Sequence, residues 1–345
     1  MNSKLRLFSN FEFIFLGSNG FTYGFFCSIL AFADGIRKKP YPEKRIEMTD
    51  WPRAYIGRIR LIVPEGGMPM KFGFIGAGKV GFSLGKYFAD HDLDVVGYYS
   101  EAKQDSLEAA EFTNSKSYDS LDELVADSDV LFLTVPDDSL ADVWNQVSLS
   151  HFTDKIICHT SGVHSSEIFS GLDNHKSYGY SIHPLCAIND KYKSYKELSN
   201  IYFTIEGDKE KLDEVSNLFV CLGNKVNLIK TEDKARYHLA AAVASNLVVG
   251  LVDMAERVIP HEALVPIMKA NMDHIIEDGT VNALTGPIER GDVSTIEQHL
   301  MVLKADEIEV YQSVSKQVLE VAKKKHPDRD YTEIEELLEI QPIDY

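Results

Sequence analysis

Residues 71–88 read KFGFIGAGKVGFSLGKYF, and no other stretch constrains the fold as tightly. Phe72–Ile75 is a short apolar run of β type, and Gly76-x-Gly78-x-x-Gly81 follows it at once. Leu84, Tyr87 and Phe88 then recur at helical spacing. Each glycine has a physical task in such a strand–turn–helix unit. Gly76 permits the tight turn, Gly78 leaves room for a ligand against the backbone, and Gly81 lets helix and strand pack closely. The free N–H groups and positive dipole end of the helix suit a pyrophosphate. The turn Gly76, Ala77, Gly78, Lys79, Val80 and Gly81 is therefore the expected cradle of a dinucleotide.

The second strand candidate, Leu93–Tyr99, ends at Ser100, with Glu101 and Lys103 just beyond. An acidic residue at this place binds the ribose 2′-hydroxyl of NAD. A hydroxyl at Ser100 with Lys103 nearby suits a 2′-phosphate better, so the expected cofactor is NADP. NAD remains the alternative, because a slip of one position puts Glu101 at the strand end. Further strand candidates are Val130–Val135, Lys155–His159, Tyr178–Ile182, Ile201–Ile205 and Lys225–Ile229, with helices at Leu121–Ala126, capped by Ser120, and Lys209–Leu222. In a doubly wound sheet the carboxyl ends of the strands face the ligand, which puts Val135, Pro136 and Asp137 beside the cofactor.

From Thr231 onward helical periodicity replaces the β runs. Lys234–Val258 reads as one long helix rich in small residues and ended by Pro260, with further helices near 262–276 and 294–323. The expected organisation is an α/β doubly wound sheet over 70–230, a helical substrate and dimerisation domain over 231–325, and an acidic tail over 326–345.

The first 69 residues differ in composition. They hold ten basic and six acidic residues, against 25 and 47 in the remainder, and eight of the eighteen phenylalanines. Residues 13–33 carry no charge, which allows a membrane helix or a secretory signal, although Ser18-Asn19-Gly20 interrupts the run. The reading preferred here is that MKFGFIGAG, from Met70, is the natural start and that 1–69 extends it artificially. A cytoplasmic protein with no membrane partner follows from that reading. The net charge of -18 argues against a general nucleic-acid surface. Cys27, Cys158, Cys186 and Cys221 show no metal-ligand spacing and suit a reducing compartment.

Several motifs together resemble one family. They are His159-Thr160-Ser161-Gly162, Ser181-Ile182-His183-Pro184-Leu185, the Lys234…His238…Ser245-Asn246 helix, and Asn282–Asp292 with His299-Leu300. They resemble the bacterial Rossmann-like proteins of the domain of unknown function 2520 family over about 70–325. That family is similar in turn to pyrroline-5-carboxylate reductase and the β-hydroxyacid dehydrogenases. The resemblance implies an NADP-type Rossmann domain, an all-helical C-terminal domain of the 6-phosphogluconate dehydrogenase C-terminal-like type, a homodimer, and an oxidoreductase of unspecified substrate.

Hydride transfer requires a proton donor or acceptor and groups that orient the substrate. His238 or His183 is the expected proton donor, Ser161 and Asn246 are the expected orienting groups, and Lys234 is a further catalytic candidate. On an unbroken helix His238 and Asn246 lie two turns apart, about 12 Å along the axis. The Lys and Asn of the β-hydroxyacid dehydrogenases sit one turn apart, so their roles do not transfer directly. His159 reads either as a cleft residue or as an inward strand residue, and Arg290 either as a carboxylate clamp or as a brace for Asp292. Three histidines without suitable spacing do not make a metal site. The expected substrate is small and anionic; the alternative is an NADP-binding sensor or interaction protein without turnover.

Overall fold

Alternation along the strands builds a sheet with both faces buried. The computed structural model describes residues 70–339; the readings placed on residues 1–69 and 340–345 lie outside them. The strands are β1 (Lys71–Ile75), β2 (Asp94–Tyr99), β3 (Lys116–Ser117), β4 (Val130–Leu133), β5 (Ile156–His159), β6 (Tyr178–Pro184), β7 (Tyr202–Gly207) and β8 (Lys225–Leu228). Phe72, Phe74, Val130, Phe132, Ile156 and Cys158 enter one core. Ile75, Leu131, Leu133 and Ile157 enter the other. Helices α1 (Lys79–Ala89) and α5 (Leu212–Cys221) supply Phe82, Phe88 and Phe219 to the first core. Helices α3 (Leu121–Asp127) and α4 (Asp137–Val147) supply Leu124, Leu140 and Trp144 to the second. Between β2 and β3 runs α2 (Lys103–Thr113).

The sheet order is β3-β2-β1-β4-β5-β6-β7-β8. Strands β1 to β6 run parallel, so the order reverses at β1 and opens a crevice between β1 and β4. β7 runs antiparallel to β6, with His183 opposite Thr204 and Ser181 opposite Glu206, and β8 is parallel to β7. The short β3 escapes the strand reading. Ser120 stands at the N-cap of α3 but makes no side-chain cap bond there, which corrects the capping expected of it.

The sheet ends at Leu228 and the helical region begins at Thr231. The long helix expected at Lys234–Val258 is two helices, α6 (Lys234–Ala244) and α7 (Asn246–Glu256), broken at Ser245, whose φ of -128° and ψ of -76° are not helical. Then come α8 (His261–Ala283), kinked at Gly279 with φ 75°, and α9 (Pro287–Arg290). The single helix expected at 294–323 is also two, α10 (Val293–Val302) and α11 (Ala305–Lys325), because Leu303 is extended. Residues 332–339, read as part of an acidic tail, form α12 (Thr332–Glu339). Its Ile334 and Leu338 pack with Ile288, Ile296 and Leu319, so this part of the tail belongs to the helical core.

Candidate functional site

Three turns meet at the carboxyl edge of the sheet. The first follows β1. Gly76 takes φ 95°, a conformation closed to most side chains, and a Cβ there would meet the Thr134 carbonyl oxygen at 2.8 Å. A Cβ on Gly81 would meet the Gly76 oxygen at 2.4 Å. Gly78 differs, since a Cβ there would meet nothing within 4 Å. Gly78 is also the N-cap of α1, with no side-chain cap bond and no acidic residue in the first turn. Two glycines thus shape the turn, and the third leaves open space before a row of free N–H donors. That arrangement fits a dinucleotide pyrophosphate. Ala77 is buried in the turn, and Lys79 and Val80 open the helix. Val135 lies against Gly76, Pro136 is the N-cap of α4, and Asp137 starts it, so β4 delivers its turn beside β1. Ser100 follows β2, but the Lys103 ammonium is already engaged with the Asp119 carboxylate at 2.5 Å and the Tyr118 carbonyl at 3.0 Å. Asp119 is largely exposed, so water weakens that ion pair.

The second and third turns bring the histidines together. The space where Gly162 would carry a Cβ lies 2.2 Å from His238 Nδ1 and 3.1 Å from His183 Nε2. The two imidazole rings are 5.9 Å apart, edge to face. His183 Nδ1 lies 2.9 Å from the Tyr237 hydroxyl. The parallel β5 and β6 and helix α6 therefore place Gly162, His183, Tyr237 and His238 in one cluster. Burial, then the Lys234 ammonium and His238, push His183 down to about 4, so its ring is neutral at pH 7.

Lys234 is not the exposed helix-start cation that its position suggests. It is 1% exposed, and its Nζ has no protein hydrogen-bond partner. The ammonium sits 5.6 Å from the centre of the Tyr237 ring. Burial lowers it to about 8, opposed by the charges of Glu206 and Asp137. It therefore remains mostly charged at pH 7, near the neutral His183 ring.

The remaining candidates divide. His159 is fully buried, with Nδ1 accepting from the Ser161 backbone N–H and Nε2 donating to the Ser165 carbonyl. Burial pushes it down to about 3, and both nitrogens are used, so it is an inward strand residue. The Ser161 hydroxyl oxygen accepts from the Val163 and His164 N–H groups and braces the turn that presents Gly162. Asn246 is exposed just after the helix break, and its recorded side-chain partner is the Ser245 hydroxyl, at 3.3 Å. No contact among the described residues joins Asn246 to the histidines. Arg290 pairs with Asp292 at 3.6 Å, the bracing alternative. No group of metal-ligating side chains occurs among the described residues.

Two residues escaped the sequence reading. Tyr237 lies in a helix that reads as apolar. Glu206 is 2% exposed and accepts from the Ser166 N–H, the Ser166 hydroxyl and the Thr231 hydroxyl. It ties the segment after the Gly162 turn to the entrance of α6. Its only sequence signal is a carboxylate within an otherwise apolar strand.

Residues 67–184 match the model of the Rossmann-like domain, and residues 201–318 match that of the domain of unknown function DUF2520. The chain carries a Rossmann-like domain followed by a DUF2520 domain. The second begins at β7, the antiparallel strand, and runs into α11, so the candidate cluster draws on both. A Thermotoga maritima protein of known structure is 26% identical, with a TM-score of 0.58 over 74% of this chain and 99% of its own. A candidate NADP oxidoreductase of Bacteroides fragilis is 20% identical, with a TM-score of 0.57 over 75% and 98%. A reductive aminase of Aspergillus terreus, solved with NADPH and ethyl-5-oxohexanoate, is 11% identical, with a TM-score of 0.56 over 78% and 99%. The last two establish a shared fold. No curated protein matches the sequence.

Proposed function

We propose that this Rossmann–DUF2520 protein is an NADP-dependent oxidoreductase acting on a small anionic substrate, a carbonyl and its alcohol or an imine and its amine. One observation carries the reading: the open glycine cradle at Gly78 and the Gly162–His183–His238 cluster lie at the same edge of one parallel sheet. Bound NADPH supplies the hydride; the chain's own residues supply position and charge. Gly76, Ala77, Gly78, Lys79, Val80 and Gly81 hold the pyrophosphate, with Val135, Pro136 and Asp137 beside it. Ser100 and Lys103 would face the 2′-phosphate, with Lys103 exchanging its exposed Asp119 partner for it. Neutral His183 donates a hydrogen bond to the reacting group, and His238, half-buried, exchanges a proton with it. The buried Lys234 ammonium favours negative charge in the cleft. Ser161 shapes the turn beneath the substrate, while Asn246, exposed beyond the helix break, stands outside the cluster.

The same reading includes a homodimer in the cytoplasm. Residues 231–256 contain an 18-residue apolar window of mean hydropathy 1.5, long enough to cross a membrane, yet none of that window is buried within the chain. Leu239, Leu247 and Val249 are each more than half exposed. A surface of this kind is a docking face, and a second copy covers it in the proposed dimer. Sedimentation should then give twice the 38.8 kDa chain mass, and Leu247→Glu should return it to one. The functional test is a titration of the full-length protein with NADPH and with NADH, read by nicotinamide fluorescence. NADPH should bind more tightly, and carbonyl and imine acids should then be screened for its oxidation. Failure of both cofactors to bind would remove the proposal.

A further inference from the structure

The inference concerns Tyr237 and rests on the reading of His183 as a group that meets the substrate. A neutral imidazole carries one N–H, and the nitrogen that carries it decides whether the ring offers a donor or an acceptor to its surroundings. His183 has two distinct neighbours. Nδ1 faces the Tyr237 hydroxyl at 2.9 Å, and Nε2 faces the space beside Gly162. The tautomer therefore depends on whether Tyr237 donates or accepts.

A chain of hydrogen bonds behind Tyr237 sets that direction. The Asn227 amide Nδ2 donates to the Thr204 hydroxyl at 3.4 Å. An amide N–H can only donate, so the Thr204 hydrogen is free to point onward. Thr204 is fully buried opposite His183, and its hydroxyl acts on Tyr237 as a hydrogen-bond partner that opposes the upward push of burial on the phenol. Thr204 then donates to the tyrosine oxygen, and the tyrosine donates to His183 Nδ1. We propose that Tyr237, anchored by Thr204 and Asn227, is a positioning residue that fixes His183 with Nδ1 as acceptor and Nε2–H as a donor aimed at the space beside Gly162. A group received there must be a hydrogen-bond acceptor, a carbonyl oxygen or an unprotonated imine nitrogen. A protonated iminium would present an N–H to another N–H. The Lys234 ammonium and His238 face the same ring from α6, and the lysine charge opposes a second cation there.

The antiparallel strand makes this possible. β7 lies beside β6 with His183 opposite Thr204, and Asn227 of β8 is in register with Thr204. Three neighbouring strands thus line up Asn227, Thr204 and His183, and α6 lays Tyr237 across the last two.

The test is ¹⁵N NMR of the full-length protein with labelled histidine, His183 being assigned by its loss in His183→Gln. At neutral pH the wild-type ring should show a protonated Nε2 and a bare, hydrogen-bonded Nδ1. In Tyr237→Phe, which keeps the ring and loses the hydroxyl, the two nitrogens should move toward the averaged shifts of a free tautomer mixture. Thr204→Val should produce the same change in smaller degree, and serves if Tyr237→Phe does not fold. A proton on Nδ1, a doubly protonated ring at neutral pH, or an unchanged single tautomer in the variants would overturn the proposal. NADPH titration of the wild type reads the proposed function separately: loss of binding there refutes the oxidoreductase and leaves the tautomer result standing.

Discussion

Gly162→Ala isolates the histidine cluster from the rest of the fold. The added methyl would fall 2.2 Å from His238 Nδ1, 2.7 Å from its Cε1 and 3.1 Å from His183 Nε2, whereas ordinary contact begins at 3.4 Å. The His238 ring must therefore retreat by about 1.2 Å. His238 is half-buried on a helix whose outer face is open, so the retreat is feasible, and the overpacking should cost only about 1 kcal/mol, the low end of such substitutions. The chemistry should suffer more, because a displacement of about 1 Å at a catalytic group lowers rates by roughly 10²-fold. The assay compares urea unfolding, NADPH binding and kcat/KM on whichever substrate the screen identifies. Stability should change little and NADPH binding not at all, while kcat/KM falls by about two orders of magnitude. A variant with wild-type turnover and unshifted His183 and His238 resonances would refute the claim that Gly162 and the two histidines form one site.

Three further predictions address the glycine turn and the buried lysine. Gly78→Ala places its methyl in open space at a φ of -72°, which alanine adopts freely, so stability should stay within about 0.5 kcal/mol of wild type. NADPH affinity should nevertheless fall at least about tenfold, roughly 1.4 kcal/mol. Gly81→Ala drives its methyl against the Gly76 backbone oxygen and should cost about 1–3 kcal/mol of stability in thermal or urea unfolding. Lys234→Met should stabilise while it inactivates. The buried amine is lowered from 10.5 to about 8, so below pH 8 the folded state bears the whole cost of holding it charged, about 3 kcal/mol by linkage. Wild-type stability should therefore rise as pH climbs from 8 toward 10.5, and the advantage of the methionine variant in urea unfolding should shrink over that window.

The sheet was legible in the sequence because its determinants are local. Apolar runs bounded by turns marked seven of the eight strands, and β3, with two residues, is too short to carry a pattern. The glycine turn was legible because each glycine serves a backbone need that no other residue meets. What escaped was decided by tertiary contact. Nothing local says that β7 turns antiparallel, yet that reversal sets Thr204 beside His183 and Glu206 beside Ser181. Lys234 is a catalytic candidate in the sequence, but only the assembled sheet shows its amine buried. The break at Ser245 follows residues of high helix propensity and has no glycine or proline to announce it. It places Asn246, exposed, in a separate helix from the one that carries His238.

Only residues 229–233 separate the last strand from α6, and Thr231 within them is held by Glu206. A helix turns about 100° per residue. A single codon gained or lost in the helical turn Thr231–Asp233, which leads directly into α6, would turn Tyr237 and His238 relative to the sheet and leave the Gly76–Gly81 turn untouched. The distance in evolution between an enzyme of this design and a receptor that merely senses its nucleotide is then one small insertion or deletion. Sequences that share the glycine turn but differ in length between β8 and α6 are the place to look for that transition.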